Sequence, residues 1–177
     1  IMEHARSIKS AEEIKAMRCS ISACETSIHV MEKETKPGMT ENDIWSILHS
    51  ENIKRGGEWI ETRLLSSGTK TNPWFQECGS RILQNNEIVA FDTDLVGCYS
   101  MCTDISRTWW IGDQEPTKEM KQDYQIALEH IQKNAELVAP GVPFKDLTFK
   151  GHQLGDVYKN SNTVADFTVL GCATSFL

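Results

Sequence analysis

The sequence predicts an α+β fold, an antiparallel sheet with helices packed on one face, and three features carry that expectation. The stretch from Ile88 to Trp110 is an apolar run, a glycine-bearing turn and a second run of β-branched and aromatic residues, the pattern of a β-hairpin. Long amphipathic stretches with recognisable start and stop signals lie on either side of it. A Pro-Gly stop followed by a new helix start occurs twice, at Pro37-Gly38 and at Pro140-Gly141.

In chain order, Ser10-Ala11-Glu12-Glu13 is a capping box and starts the first long helix. Ile14, Met17, Ile21, Cys24, Ile28 and Met31 recur at helical spacing as its apolar stripe, and Lys36-Pro37-Gly38 ends it. Thr40 caps the next helix, with Asp43 three residues on and Ile44, Trp45, Ile47 and Leu48 as its apolar side. Ile60 to Leu65 reads as a strand, Ser66-Ser67-Gly68 as a turn, and Lys70 to Pro73 as a loop before Trp74 and Phe75. Beyond the hairpin, Gly112 to Pro116 breaks the sheet. Thr117 then opens a helix with Met120, Tyr124, Ala127, Leu128 and Ile131 along one side. Pro37-Gly-Met-Thr-x-x-Asp43-Ile44 returns as Pro140-Gly-Val-Pro-x-x-Asp146-Leu147, each time between two helices, which predicts two structurally similar halves. Strands of a second half built like the first fall past Leu177.

Composition narrows the function. A chain of 177 residues with 40% hydrophobic content fits one domain with its own core. The net charge of −7, with no basic run, argues against nucleic acid and against an anionic membrane surface. No stretch has the apolar length of a membrane span, and the first residues are not a signal peptide, so a cytoplasmic setting is the expectation. The six cysteines form no Cys-x-x-Cys pair, and Cys98 with Cys102 lacks partners at zinc spacing; they read as reduced, mostly buried thiols. His4, His29, His49, His130 and His152 fall on helices or their flanks and read as surface or core-edge residues.

Within the hairpin, side chains alternate between faces, so Asp92 and Asp94 share one face, and a turn near Cys98 and Tyr99 brings Asp104 opposite one of them. Three carboxylates on one face have two readings. They are either the solvated face of an edge strand or a site where a hard cation neutralises like charges.

The residues Phe91-Asp92-Thr93-Asp94-Leu95, Gly97, Tyr99 and Asp104-Ile105-Ser106-Arg107-Thr108 resemble the creatinase/methionine aminopeptidase superfamily. The second strand matches its Asp, one residue, Ser or Thr, Arg, Thr pattern, while the first carries two aspartates in place of one. That doubling, with Arg55-Gly-Gly-Glu-Trp-Ile60 and Thr71-Asn-Pro-Trp-Phe75, is similar to the lyase branch that cleaves dimethylsulfoniopropionate. The resemblance runs from about Ile8 to about Ile131. It implies the first half of a pita-bread fold, with residues of about 8–139 as the first half and about 140–177 as the beginning of the second. By the same token it implies a fragment of a catalytic domain, without the amino-terminal domain and the carboxy-terminal ligand-bearing part.

The resemblance further implies that Asp92, Asp94 and Asp104 are metal ligands. The remaining ligands, one His and two Glu, and the catalytic base are expected beyond Leu177. The implied cofactor is a divalent metal, a dinuclear iron centre by preference, with manganese or zinc as alternatives. Arg107, three residues after Asp104, is a candidate to hold a carboxylate in support of the site, its other reading being a surface salt bridge. Trp59, Trp74, Phe75, Trp109 and Trp110 offer faces for a sulfonium cation, against a packing role for each. The implied activity is cleavage of a small molecule, dimethylsulfoniopropionate, to dimethyl sulfide and acrylate by a homodimer. The alternatives are an Xaa-Pro-type metalloaminopeptidase or a non-catalytic remnant. The peptidases place a His in the loop before the hairpin, and Thr71 to Gln76 contains none.

Overall fold

Two capping boxes set the helical layer. The computed structural model describes residues 2–73 and 76–155. After a short α1 (Met2–Ser7), the Ser10 hydroxyl accepts from Glu13 N while the Glu13 carboxylate accepts from Ser10 N, and α2 runs from Ala11 to Glu34. Thr40 and Asp43 make the same reciprocal pair at the start of α3 (Glu41–Lys54). The two helices pack on each other, and Cys24, Ile28 and Met31 of α2 join Ile44, Trp45 and Leu48 of α3 in the core. The stripe on α2 is displaced from the expected one. Ile14 and Ile21 are exposed, and the buried face carries Ser20, Ala23 and Ser27 beside Cys24, Ile28 and Met31. Small side chains win there because the helix lies close against the tip of the hairpin.

The sheet is antiparallel throughout. One three-stranded set has the order β1 (Trp59–Ile60), β4 (Leu95–Val96), β5 (Cys102–Thr103); the other has β2 (Leu65–Ser67), β3 (Glu87–Phe91), β6 (Arg107–Ile111). The same three chain segments pass from one set into the other. The hairpin thus spans both sets, with its ladder interrupted at 92–94 and 104–106. On the outer segment, Ile60 pairs with Leu95 and Leu65 with Phe91, so five residues are spanned against four. One extra residue is accommodated between them, as in a β-bulge.

Two expectations from the sequence are corrected by this segment. The single strand from Ile60 to Leu65 is two short strands with the irregular stretch between, and Ser66-Ser67 is strand, paired with Ala90 and Val89 and fully buried. The cause is Glu41 at the start of α3. Its buried carboxylate accepts from Ser67 N and Oγ at 2.9 Å each, from Lys70 Nζ at 2.6 Å and from Gly79 N at 3.1 Å. That anchor draws β2 and the 3-10 turn Gly68–Thr71 under the helix.

The hairpin tip is a short helical turn, Cys98–Ser100, in which Tyr99 and Ser100 take φ of 60° and 57°. Gly97 is not the residue in the left-handed region. Its value is clearance, since a Cβ there would fall 1.9 Å from Ser20 Oγ on α2. Ser20 Oγ in turn donates to Met101 O at 2.7 Å.

After the hairpin, Thr117 caps α4 (Lys118–Ala135), and α5 (Phe144–Lys150) follows the second Pro-Gly. Gly38 and Gly141 have φ of 92° and 85°, so both Pro-Gly turns use the conformation glycine allows. The apolar side of α4 is largely uncovered among the described residues: Tyr124 and Leu128 are exposed and only His130 is buried. Phe167 to Leu170, an apolar run whose sequence predicts the beginning of a further strand, lies outside the described residues.

Candidate functional site

The interruption of the ladder falls on the aspartates. Asp is a poor strand former, and here residues 92–94 and 104–106 leave regular pairing while the register stays fixed on both sides, Phe91 opposite Arg107 and Leu95 opposite Thr103. That register sets Asp94 opposite Asp104 and Asp92 opposite Ser106. Directly opposed positions have Cβ atoms about 4.5–5.5 Å apart, close enough for two carboxylates to share one cation.

Side chains replace the missing ladder bonds. Thr93, fully buried on the helix face, donates from Oγ1 to Thr103 O and accepts from Ile105 N, both at 3.2 Å. On the other face Asp92, only 3% exposed, accepts at Oδ1 from Ser106 Oγ at 2.6 Å and from Thr93 N at 3.1 Å. Asp94 Oδ2 accepts from Thr62 Oγ1 at 2.8 Å, and Thr62 lies on the irregular outer segment between β1 and β2. The extra residue there aims Thr62 at the break in the hairpin. Beneath, burial pushes the Cys24 thiol up to about 12, only partly opposed by its hydrogen bond with Thr93, so this sulfur stays protonated and serves as packing.

Arg107 falls on the face opposite to that of Asp92 and Asp94. It pairs opposite Phe91, the residue before Asp92, so alternation sends it to the helix face, where it is exposed and donates to Ser106 O at 2.8 Å. Of the candidate aromatics, Trp109 packs edge-on to Phe91 at 5.6 Å between ring centres, and Trp110 donates from its indole to Gln114 O. Trp59 is half exposed at the end of β1, and Trp74 and Phe75 lie outside the described residues. A surface depression of about 420 Å³ between α2 and β6 is lined by Glu32, Trp109 and Trp110 and by none of the three aspartates.

The fit to a metal is decided by the donor set. Every donor the structure gives Asp92 and Asp94 among the described residues is neutral: a main-chain amide and the hydroxyls of Ser106 and Thr62. These leave the negative charge available, and an all-oxygen set suits a hard divalent cation. Among the described residues no group of three or more Asp, Glu, His or Cys side chains is placed to hold a metal ion. Within the hairpin Asp92 is buried, and Asp94 and Asp104 are partly exposed.

Residues 15–164 match metallopeptidase family M24. The chain belongs to this family. Its likeness to solved structures places the fold: TM-score 0.73 to an X-Pro aminopeptidase of Thermotoga maritima at 23% identity, covering 82% of this chain and 40% of that one. The prolidase of Pyrococcus furiosus gives 0.75 at 20% identity, covering 82% and 43%. The helices and antiparallel sheet described above are thus part of the pita-bread domain of the M24 family. Among curated relatives, a dimethylsulfoniopropionate lyase DddP of Roseovarius nubinhibens is 54% identical over 164 residues, and that of Roseobacter denitrificans 56% over 159. These alignments cover 90% and 87% of this chain, which spans 37% and 36% of the relatives' own length. An uncharacterized peptidase of Staphylococcus aureus is 30% identical over 145 residues. No described helix is long and apolar enough to cross a membrane.

Proposed function

We propose that this chain is the metal-platform part of a lyase that cleaves dimethylsulfoniopropionate to dimethyl sulfide and acrylate. The observation that carries the reading is identity of 54% and 56%, across nearly the whole chain, to two relatives that bear that activity in their names. The doubled aspartates of the first strand agree with it.

In this reading Asp92, Asp94 and Asp104 hold a divalent metal centre, iron by preference and manganese or zinc as alternatives, with ligands from the remainder of the protein. Bound there, the metal supplies Lewis acidity toward the substrate carboxylate. The chain's own residues do the positioning. Ser106 and the Thr93 amide fix the Asp92 carboxylate, Thr62 fixes Asp94, and Thr93 keeps the two strands in register from behind. Cleavage requires removal of the proton on the carbon next to the carboxylate, with the C–S bond electrons leaving on dimethyl sulfide. The base for that proton is assigned to none of the described residues. A homodimer in the cytoplasm belongs to the same reading.

The structural likeness to X-Pro aminopeptidase and prolidase favours a second reading, hydrolysis of proline peptides. One experiment separates the two: the full reading frame, reconstituted with iron, is assayed for dimethyl sulfide in the headspace and for Xaa-Pro hydrolysis. Dimethyl sulfide release that is lost in Asp94→Asn and Asp104→Asn, together with bound metal, is the expected result. Peptide hydrolysis without dimethyl sulfide sinks the lyase reading.

A further inference from the structure

His130 is the buried residue of α4, 8% exposed, and both of its ring nitrogens are engaged. One turn further along the helix, Asn134 Nδ2 lies 3.2 Å from His130 Nε2. His130 Nδ1 lies 3.1 Å from Nδ1 of His152, which follows α5, and the two rings meet edge to face at 5.3 Å between centres. Asn134 reaches the same segment, its Oδ1 accepting from His152 N at 2.7 Å. Gly151 permits the approach, since a Cβ there would fall 2.8 Å from Leu147 O in the last turn of α5. Because α5 buries none of its side chains, these contacts carry its end against α4.

The hydrogen bonds settle where the protons sit. Asn134 Oδ1 is committed to the His152 amide, so the atom facing His130 is the NH2 group, and His130 Nε2 accepts. The proton of the neutral ring is therefore on Nδ1, donated to His152 Nδ1. A second proton on His130 has only Nε2 to occupy, where it faces the Asn134 NH2 at 3.2 Å, donor against donor. The titratable and charged groups that face His130 are His152 from beyond α5 and Lys133 from its own helix. Burial first, and then both of these, oppose a positive charge there. Lys133 Nζ stands 3.4 Å from His152 Nε2 and 3.7 Å from Glu129 Oε2, which is half exposed.

We propose that His130, Asn134 and His152 form an acid-released clasp, which holds the end of α5 on α4 at neutral pH and opens when His130 takes a proton. The proposal stands apart from the reaction assigned above. With the clasp open, His130 is a solvated imidazole that binds a proton near pH 6.5; with it closed, that proton is refused. Closure is therefore fully favoured above about pH 6.5, and opening gains as pH falls below it. Opening frees the Asn134 amide as well, because the ring it donates to is the one that turns away. The segment from Gly151 onward then loses the His152 ring contact and the His152 amide bond together.

The test is hydrogen–deuterium exchange on the full reading frame at about pH 7.5 and 5.5, on either side of the free histidine value. It is read as protection factors, which remove the intrinsic effect of pH on exchange, for the peptide covering 151–155 and for α2 as reference. Protection of 151–155 is expected to fall several-fold at the lower pH while α2 keeps its own. His130→Gln offers an amide oxygen to Asn134 and an N–H to His152 without titrating, and is expected to remove the difference between the two pH values. Asn134→Asp is expected to reverse its sign, because a carboxylate accepts both the Nε2 proton of a charged His130 and the His152 amide. Equal wild-type protection at the two pH values refutes the proposal, as does a fall shared equally by α2. So does an Asn134→Asp protein that loosens on acidification as much as the wild type.

Discussion

Replacing Thr93 by Val tests whether one hydroxyl holds the hairpin together where its ladder lapses. The side chain is fully buried, and Val keeps its shape while removing the oxygen that donates to Thr103 O and accepts from Ile105 N. The main loss is the Ile105 amide, whose buried N–H is left without its partner, a cost of about 1–3 kcal/mol; the lost bond to Thr103 O adds about 1. The expected destabilisation is therefore about 2–4 kcal/mol. At a urea slope of about 2 kcal/mol/M that lowers the unfolding midpoint by about 1–2 M. Thr93→Ser is the control, because it keeps the hydroxyl and loses a buried methyl worth about 1 kcal/mol. A Val variant within about 0.5 kcal/mol of wild type, or a Ser variant as damaged as the Val one, refutes the claim that this hydroxyl stands in for the ladder.

Four further outcomes follow from the structure. Gly97→Ala is expected to cost about 1–3 kcal/mol by driving a methyl into Ser20, and a double-mutant cycle with Ser20→Gly, read by chemical denaturation, should show part of that cost recovered. Glu41→Ala should cost about 3–5 kcal/mol, since it strips Lys70, Ser67 and Gly79 of a buried carboxylate. Glu12→Ala, which breaks an ion pair exposed on both sides, should change thermal stability by less than about 0.5 kcal/mol. His130 is held below the usual histidine range, first by burial and then by His152 and Lys133, while Asn134 donates to its Nε2. The unfolded chain then binds the proton that the folded chain refuses, so this contribution is complete above the unfolded value of about 6.5 and declines as pH falls below it. Urea midpoints at pH 7.5 and 5.5 should differ less in His130→Gln than in wild type.

Local signals were legible in the sequence and distant ones were not. Both capping boxes form as read, because Ser10 with Glu13 and Thr40 with Asp43 are pairs three residues apart that need nothing beyond their own helix. Ser66-Ser67-Gly68 was misread for the opposite reason. Its composition says turn, and what holds Ser67 in a strand is a carboxylate 26 positions earlier. The outward turn of Ile14 and Ile21 has the same origin, since only the hairpin tip reveals that small residues must face it. Arg107 shows a signal that was present and missed: three residues after Asp104 on a strand is an odd step, and an odd step changes face.

The sequence also misplaced the reason for the aspartates' position. Read as strand residues, Asp92, Asp94 and Asp104 are costly choices on an otherwise good hairpin. In the fold they coincide with the lapse in the ladder, where one sheet gives way to the next and the outer segment spends its extra residue. A carboxylate costs less at such a break than inside a regular ladder, because the backbone there is already paired through the Thr93 hydroxyl and through the bonds from Asp92 N to Leu64 O and from Glu61 N to Asp94 O. The same break opens the sheet face that carries the acids. In the proposed reading, the residues that are poor for the sheet and the residues a cation would use are the same three, and Thr93 between two of them keeps the strands joined.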